Sequence, residues 1–143
     1  MSEPIKSLNV DDFDVISRIS KGHYGTVFLV RMRNTDRIFA MKKIDKCSCV
    51  QRNQFGQLFA ERDIHFYLNS PYIVRLYCTF VTSNKICFLL HYVSNGDLEH
   101  FLNDGFVFND SKIKKMMAQL VLAIEFLHSK DIVHRDLKPA KYF

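Results

Sequence analysis

The sequence predicts an α+β fold in which a five-stranded antiparallel sheet with one inserted helix is followed by a helical second part. Five segments rich in β-branched and aromatic residues occupy the first part of the chain, and short polar turns join several of them. Such short connections favour antiparallel pairing, because parallel strands need long crossovers. Beyond about residue 94 the apolar residues change to the three- and four-residue spacing of an amphipathic helix.

The elements of the first part follow from where this pattern is interrupted. Residues 1–11 are mostly polar and are interpreted as a flexible lead-in. The predicted strands are 13–19, 26–32, 37–44, 73–80 and 85–92. A single helix is predicted at about 50–69, where Phe55, Leu58 and Phe59 have helical spacing, and Pro71 follows its end. We therefore expect a first lobe at 12–94.

The second part, 95–143, is predicted to contain a short helix at about 97–102 and a long helix at 110–130. Asn109 or Asp110 is expected to cap the long helix. Its apolar residues form a wide stripe, made up of Ile113, Met116, Met117, Leu120, Val121, Ile124 and Leu127. A stripe of this width must pack against another surface.

The composition is that of one ordered globular protein. The chain has 143 residues, 48% of them hydrophobic, and a net charge of +5. Its basic residues are scattered and alternate with acidic ones, so we expect no nucleic-acid binding.

The cysteines and the apolar runs indicate in which cellular compartment the protein resides. The four cysteines do not have a metal-binding spacing, and we interpret them as free thiols in a reducing compartment. The longest apolar runs, 86–90 and 120–124, are too short to cross a bilayer, and the N-terminus contains no apolar signal segment. We therefore expect a soluble protein without a membrane partner, in the cytoplasm or the nucleus.

A glycine turn between the first two strands is a candidate phosphate-binding element. Gly22 and Gly25 precede Val27, and glycines in such a turn leave backbone N–H groups free to face a phosphate. Two glycines between strands are more often an ordinary turn, so this pattern alone is weak.

A lysine and a glutamate form a second candidate element. Lys42 lies inside an apolar strand, where a buried ammonium needs a partner. Glu61, on the predicted helix, can supply the carboxylate. Each residue alone is more often a surface charge, but a strand lysine paired with a helix glutamate can hold the phosphates of a nucleotide.

The segment His134-Arg135-Asp136-Leu137-Lys138-Pro139 is the most specific motif in the chain. In a catalytic loop of this pattern the aspartate accepts or positions the proton of a substrate hydroxyl, and the lysine two residues later balances charge on the transferred phosphoryl group. Its position after the glycine turn, Lys42 and Glu61 argues against a chance polar loop.

Together these segments resemble a eukaryotic protein kinase of the AGC group. The chain is most similar to the microtubule-associated serine/threonine kinases, with the Greatwall kinases close by. The resemblance covers about residues 11–139 and is carried by DDFDVISRISKGHYGTVFLVR, FAMKKIDK, RNQFGQLFAERDI, SPYIVRLYCTF and IVHRDLKP. It implies the small lobe of a kinase followed by part of the large lobe, ATP and Mg²⁺ as cofactors, and phosphoryl transfer to Ser or Thr of a protein substrate.

The resemblance also implies roles for individual residues. The catalytic residues are Asp136, Lys138, Lys42 and Glu61. The nucleotide-binding residues are Ile19, Ser20, Lys21, Gly22, His23, Tyr24, Gly25, Val27, Ala40, Lys42, Leu90, His91, Val93 and Asp97. Within this set Ile19, Val27 and Ala40 would line the adenine pocket, and Leu90 would be the gatekeeper. His91 and Val93 would offer backbone groups to the adenine, and Asp97 would reach the ribose. Ser20 replaces the first loop glycine of most kinases, as it does in this subgroup.

The catalytic loop departs from the family pattern at its end. The pattern H-R-D-L-K-P-x-N requires an asparagine at position 141, where this chain has Lys141. The asparagine binds the second Mg²⁺ through a carbonyl oxygen, whereas lysine is positively charged and has no acceptor. The 143 residues also contain no Asp-Phe-Gly segment, which holds the main Mg²⁺. We therefore expect no phosphoryl transfer by these 143 residues alone.

Three interpretations stay open. The chain could come from an active serine/threonine kinase whose sequence is shortened by a gene model or by splicing, which is the interpretation we favour. It could instead be a pseudokinase-like module that binds a nucleotide or a partner, or a non-functional fragment. Within these 143 residues the long helix at 110–130 lacks partners that would cover its apolar stripe, which favours aggregation or association with a protein partner that covers it.

Overall fold

In the computed structural model of the protein, the described residues are 8–22, 25–53 and 55–143. The sheet strands in these ranges are β1 (Phe13–Gly22), β2 (Gly25–Met32), β3 (Ile38–Asp45), β4 (Leu76–Val81) and β5 (Lys85–His91). The helices in the same ranges are α1 (Lys46–Gln51), α2 (Phe55–Tyr67), α3 (Leu98–Asn103) and α4 (Asp110–His128). Short 3₁₀ turns lie at Val10–Asp12 and Pro139–Lys141. The strands form one antiparallel sheet in the order β1-β2-β3-β5-β4, which confirms the predicted fold class.

The chain divides into two compact units. The first contains the described residues up to Leu68 together with Arg75–Tyr92, and it holds the whole sheet with α1 and α2. The second contains Asn69–Val74 and Val93–Phe143, with α3 and α4. Next to the predicted lead-in, the Asn9 side chain caps the 3₁₀ turn at Val10–Asp12.

The single helix predicted at about 50–69 is wrong in detail, since two helices occupy this part of the chain. The Asp45 carboxylate caps α1 by accepting hydrogen bonds from the backbone N–H groups of Cys47 (2.9 Å) and Ser48 (3.4 Å). Asn53 then has a left-handed backbone with φ of 52°, which ends the first helix before α2 begins.

The predicted start of the fourth strand at residue 73 is also wrong, because β4 begins at Leu76. A turn precedes it, in which Ser70 accepts the N–H of Tyr72 on its hydroxyl oxygen and that of Ile73 on its carbonyl oxygen, each at 3.3 Å. Side-chain hydrogen bonds of this kind favour a turn over a strand, although the apolar residues after Pro71 resemble a strand.

Each face of the sheet carries its own apolar core. One core contains Phe13, Val30, Phe39, Met41, Phe80, Cys87 and Leu89. The other joins Ile44, Leu76, Ile86 and Phe88 of the sheet to Cys49 of α1 and Leu58 of α2. Because side chains alternate along a strand, Lys42 shares a face with Ile44 and points away from the core around Met41. The sheet therefore presents Lys42 on the side where α2 packs.

The long helix α4 begins and caps as predicted, but it ends at His128 instead of residue 130. The Asn109 side chain accepts the Lys112 N–H at 2.9 Å. Of the predicted stripe, Leu127 is buried, whereas Ile113, Met117 and Val121 are 44%, 43% and 64% exposed. No helix among the described residues is long and apolar enough to span a bilayer.

Candidate functional site

The side chains of Lys42 and Glu61 form an ion pair in the first unit. Lys42 Nζ lies 2.8 Å from Glu61 Oε1 and 5.6 Å from the centre of the Phe88 ring. Leu58 is the buried residue of α2, and Glu61 follows it by three positions, so both lie on the side of the helix that faces the sheet. The Lys42 side chain is 22% exposed and that of Glu61 46%, which leaves the pair accessible to an anion. The predicted pairing of these residues is thus present.

Position 25 of the glycine turn requires glycine for a structural reason that the sequence did not indicate. Gly25 has φ of 146°, and a Cβ atom built on it would be 2.4 Å from the Lys43 carbonyl oxygen. Gly22 is unconstrained, since the nearest atom to such a Cβ is 3.9 Å away. The predicted site residues His23 and Tyr24 lie outside the described residues.

Four of the predicted nucleotide-binding residues share one face of the sheet. Val27 is opposite Lys42 across the β2–β3 pairing, and Ala40 is opposite Leu90 across the β3–β5 pairing. Ala40 is buried, whereas Val27 and Leu90 are half-buried. Directly opposed residues of an antiparallel pair point to the same side, so these apolar side chains lie beside the Lys42 ammonium group.

The first strand contributes the more exposed members of the predicted set. Ile19 is 47% exposed, and Ser20, Lys21 and Gly22 are exposed at the end of β1. Ser20 pairs with Val27, and an irregularity in the pairing lies between Arg18 and Ser20.

The next predicted site residues are His91, the last residue of β5, and Val93 and Asp97 beyond it. The His91 N–H is donated to the Arg75 carbonyl at 2.8 Å, so a ligand could use only the carbonyl of this residue. Val93 is half-buried in the second unit. The Asp97 carboxylate accepts the His100 N–H at 2.9 Å and so caps α3. Asp97 therefore has a structural role besides the ribose contact that was predicted for it.

The catalytic-loop motif lies in the second unit and is exposed. Lys138 Nζ is 3.3 Å from Asp136 Oδ2, and the Asp136 N–H donates to His134 Nδ1 at 3.3 Å. Arg135 has a left-handed backbone with φ of 64°, which is rare for a residue of its kind. Such backbone conformations cluster at functional sites. The sequence contained no signal for it.

Tyr142 is a positioning residue that sequence reasoning missed. Its hydroxyl lies 3.0 Å from the Met116 carbonyl oxygen and 3.1 Å from Gln119 Oε1, and its own carbonyl accepts the Leu98 N–H at 2.8 Å. Partial burial raises the pKa of the Tyr142 hydroxyl above its ordinary value. The end of the loop is thus tied to α3 and to the middle of α4.

Comparison with known proteins decides the family to which this arrangement belongs. The family profile described as "Protein kinase domain" matches residues 13–142. The chain belongs to the protein kinase family. The resemblance inferred from the motifs is therefore confirmed, and the ion pair and the exposed loop are parts of a kinase domain.

Several curated kinases are similar to this kinase chain over nearly its whole length. The probable serine/threonine protein kinase IREH1 of Arabidopsis thaliana is 35% identical over 136 residues, which are 95% of this chain and 10% of that protein. The serine/threonine-protein kinase greatwall of Xenopus tropicalis is 34% identical over 131 residues, 92% of this chain and 15% of that protein. The RAC family serine/threonine-protein kinase homolog of Dictyostelium discoideum is 35% identical over 139 residues, 96% of this chain and 31% of that protein. The chain thus spans about a tenth to a third of the length of these relatives.

Protein kinases use ATP together with Mg²⁺, and the loop of this kinase chain does not suit the metal. Asp136 is the single carboxylate between His134 and Lys141, and it already contacts Lys138. Position 141 offers an ammonium in place of an oxygen ligand. The described part of the chain contains no group of three or more His, Cys, Asp or Glu side chains that could hold a metal ion.

Proposed function

We propose that this chain is the nucleotide-binding part of a serine/threonine protein kinase. In the natural protein that contains it, the γ-phosphoryl group of ATP is transferred to a Ser or Thr hydroxyl of a protein substrate. The observation that carries the proposal is the 2.8 Å ion pair between Lys42 and Glu61, which holds an accessible ammonium group on a rigid strand. A lysine fixed in this way is suited to the α- and β-phosphates of ATP.

The apolar face beside Lys42 suits the adenine ring. Val27, Ala40 and Leu90 offer a flat apolar surface, and Ile19 at the exposed end of the first strand extends it. The carbonyl group of His91 would accept a hydrogen bond from the adenine amino group, since its N–H is already used. The glycine turn at 20–25 would contribute backbone N–H groups to the phosphates.

Asp136 and Lys138 supply the chemistry of transfer. Asp136 takes the proton of the substrate hydroxyl while the hydroxyl oxygen bonds to the γ-phosphorus and the bond to ADP breaks. Lys138, 3.3 Å from Asp136, stabilises the charge of the phosphoryl group. A lysine at this position and the names of the relatives both favour Ser and Thr over Tyr acceptors.

A second candidate function is a pseudokinase-like binding module, and Lys141 favours it. A lysine at the position of a metal ligand weakens catalysis without preventing nucleotide binding. The exposed residues Ile113, Met117 and Val121 on α4 would then contact a protein partner.

We place the protein in the cytoplasm or the nucleus, because its four cysteines are free.

Labelled ATP distinguishes the two functions. The natural protein that contains these residues is incubated with γ-labelled ATP and peptides that carry Ser, Thr or Tyr acceptors. We expect labelled Ser and Thr, a loss of about 100-fold or more in the Asp136→Asn variant, and no loss in the matched control Asp131→Asn. ATP binding without transfer would instead support the binding module, and transfer that survives Asp136→Asn would contradict the catalytic assignment.

A further inference from the structure

The side chains of Tyr77 in β4 and His91 at the end of β5 are hydrogen-bonded to each other. The Tyr77 hydroxyl lies 3.2 Å from His91 Nδ1, and the two ring centres are 6.4 Å apart. Both residues belong to the first unit, so the contact lies within one compact part of the chain. A neutral imidazole has one nitrogen that accepts a hydrogen bond, so the Tyr77 O–H group is a suitable donor to Nδ1.

The Tyr77 ring is packed against two other side chains. Its centre is 5.2 Å from the centre of the Phe39 ring, in an edge-to-face arrangement, and 5.4 Å from the guanidinium carbon of Arg75. Phe39 is itself buried in the core that contains Met41. Because the ring is held in this way, the Tyr77 hydroxyl oxygen has a fixed position and only its hydrogen can still rotate.

The His91 side chain lies on the face of the sheet that is opposite to the proposed nucleotide site. Phe39 is directly opposite His91 in the β3–β5 pairing, and directly opposed residues point to the same side. Ala40 and Leu90 form the next pair of this ladder and therefore point to the other side. The His91 imidazole is thus kept away from the nucleotide, and it can influence binding only through the backbone of its own residue.

Two hydrogen bonds hold His91 at the point where the strand ends. Its N–H donates to the Arg75 carbonyl at 2.8 Å, and its side chain is bonded to Tyr77. Because β5 ends at this residue, strand pairing no longer holds the chain on the side of Tyr92. Peptide groups at the ends of elements open most easily, so the position of the His91 carbonyl depends on the side-chain contact as well as on the sheet.

We infer that Tyr77 is a positioning residue, which acts through His91 to fix the carbonyl group that accepts the amino group of adenine. This inference rests on the proposed function, since that function assigns the same carbonyl to adenine. A hydrogen bond weakens steeply when its geometry is poor, and an acceptor that is already in place costs less conformational entropy on binding. Tyr77 therefore favours adenine over purines without the amino group and has no effect on the phosphates.

Nucleotide titrations of the 143-residue chain, followed by amide NMR, test the inference. The two ligands are ATP and purine riboside triphosphate, which differs from ATP only in lacking the amino group. We expect the unmodified chain to prefer ATP, and Tyr77→Phe, which keeps the ring, to bind ATP about three- to tenfold more weakly. The affinity of Tyr77→Phe for purine riboside triphosphate should stay within about twofold of that of the unmodified chain, because this ligand makes no bond to the carbonyl.

Two further variants separate the side-chain contact from general effects. His91→Ala removes the other partner and should weaken ATP binding as much as Tyr77→Phe does, and the double variant should bind no more weakly than either. Tyr67→Phe changes an 86% exposed residue of the same unit and should bind both nucleotides as the unmodified chain does. The nitrogen chemical shift of His91 Nδ1 should change in Tyr77→Phe but not in Tyr67→Phe, and well-dispersed spectra show that each variant is folded.

Each other outcome decides against the inference in a distinct way. Equal losses of affinity for both nucleotides in Tyr77→Phe overturn it, because the hydroxyl would then affect the whole site. An unchanged affinity for ATP in Tyr77→Phe, or in His91→Ala if the first variant does not fold, also overturns it and leaves the proposed function intact. Equal affinities of the unmodified chain for the two nucleotides overturn the inference together with the adenine contact of His91, whereas a folded chain that binds neither nucleotide contradicts the proposed function as well.

Discussion

Gly25 lies so close to the third strand that a Cβ atom on it would be 2.4 Å from the carbonyl oxygen of Lys43. No side chain fits at that distance from a backbone atom, and φ of 146° is in any case unfavourable for an L-residue. This glycine therefore permits the close pairing of β2 with β3, which also carries Lys42.

Gly25→Ala should destabilise the first unit by about 1–3 kcal/mol, because the strands must separate or the backbone must change conformation. Gly22→Ala is the matched control, since an added Cβ there meets no atom closer than 3.9 Å, and it should change the stability by less than about 1 kcal/mol. Urea unfolding followed by the amide signals of β2 and β3 measures both. Equal stabilities of the two variants would contradict the packing reason given for Gly25.

Tyr142→Phe should loosen the end of the catalytic loop. The change removes the hydroxyl that bonds to Met116 and Gln119, at a cost of about 0.5–1.5 kcal/mol. The exchange rate of the Leu98 amide, which donates to the Tyr142 carbonyl, should rise about two- to tenfold. Tyr67→Phe, at an 86% exposed residue in the first unit, should leave this rate unchanged. An unchanged rate in Tyr142→Phe would show that the hydroxyl does not hold the loop.

The N-terminal cap of α1 should weaken in acid when the Asp45 carboxylate becomes protonated. The pKa of Asp45 lies below its ordinary value of 3.8, chiefly because Lys85 donates a hydrogen bond to the carboxylate, and also because Ser48 does so. A lowered pKa in the folded state means that the carboxylate stabilises the fold fully above pH 3.8. This contribution is lost as the pH falls through the lower, folded-state pKa.

The Ser48 amide shift should therefore titrate with a midpoint below 3.8, and Lys85→Gln should raise that midpoint. In Asp45→Asn the amide still has a capping acceptor but no acid, so its titration should disappear. A midpoint that is the same in Lys85→Gln and the unmodified chain would exclude Lys85 as the main cause.

The four thiols should differ in reactivity according to their burial. Cys47 is exposed, Cys49 and Cys87 are buried, and burial raises the pKa of the Cys78 and Cys87 thiols. Brief alkylation at about pH 8 should modify Cys47 first, because the thiolate is the reacting species and must be accessible. Mass spectrometry locates the modified residue, and alkylation after denaturation provides the control. Modification of Cys87 at the rate of Cys47 in the folded chain would contradict the buried position of β5.

Most of the features that could be predicted from the sequence depend on local patterns of apolar and capping residues. The strands around Met41 and Leu89 alternate between two buried faces, and the Asn109 cap and the spacing of Leu120 and Leu127 identify α4. The pairing of Lys42 with Glu61 could be predicted, because a lysine inside an apolar strand requires a nearby anion.

The features that could not be predicted depend on backbone conformation or on contacts between distant residues. The left-handed backbone at Asn53 separates α1 from α2, although the apolar spacing alone suggests one helix. The contact of Tyr142 with Met116 joins residues 26 positions apart, and no local pattern indicates it. The need for Gly25 arises from the neighbouring strand, whereas the sequence suggested a phosphate as the reason.

The affinity for ATP in two adjacent lysine variants tests the central claim most directly. Lys42 is paired with Glu61, whereas Lys43 points to the other face of the sheet, with its Nζ atom 5.2 Å from the centre of the Phe28 ring. Calorimetric titration should show that Lys42→Met weakens ATP binding about tenfold or more, and that Lys43→Met leaves it unchanged. If folded Lys42→Met binds ATP as the unmodified chain does, or if the two variants lose affinity equally, the proposed nucleotide site at Lys42 is wrong.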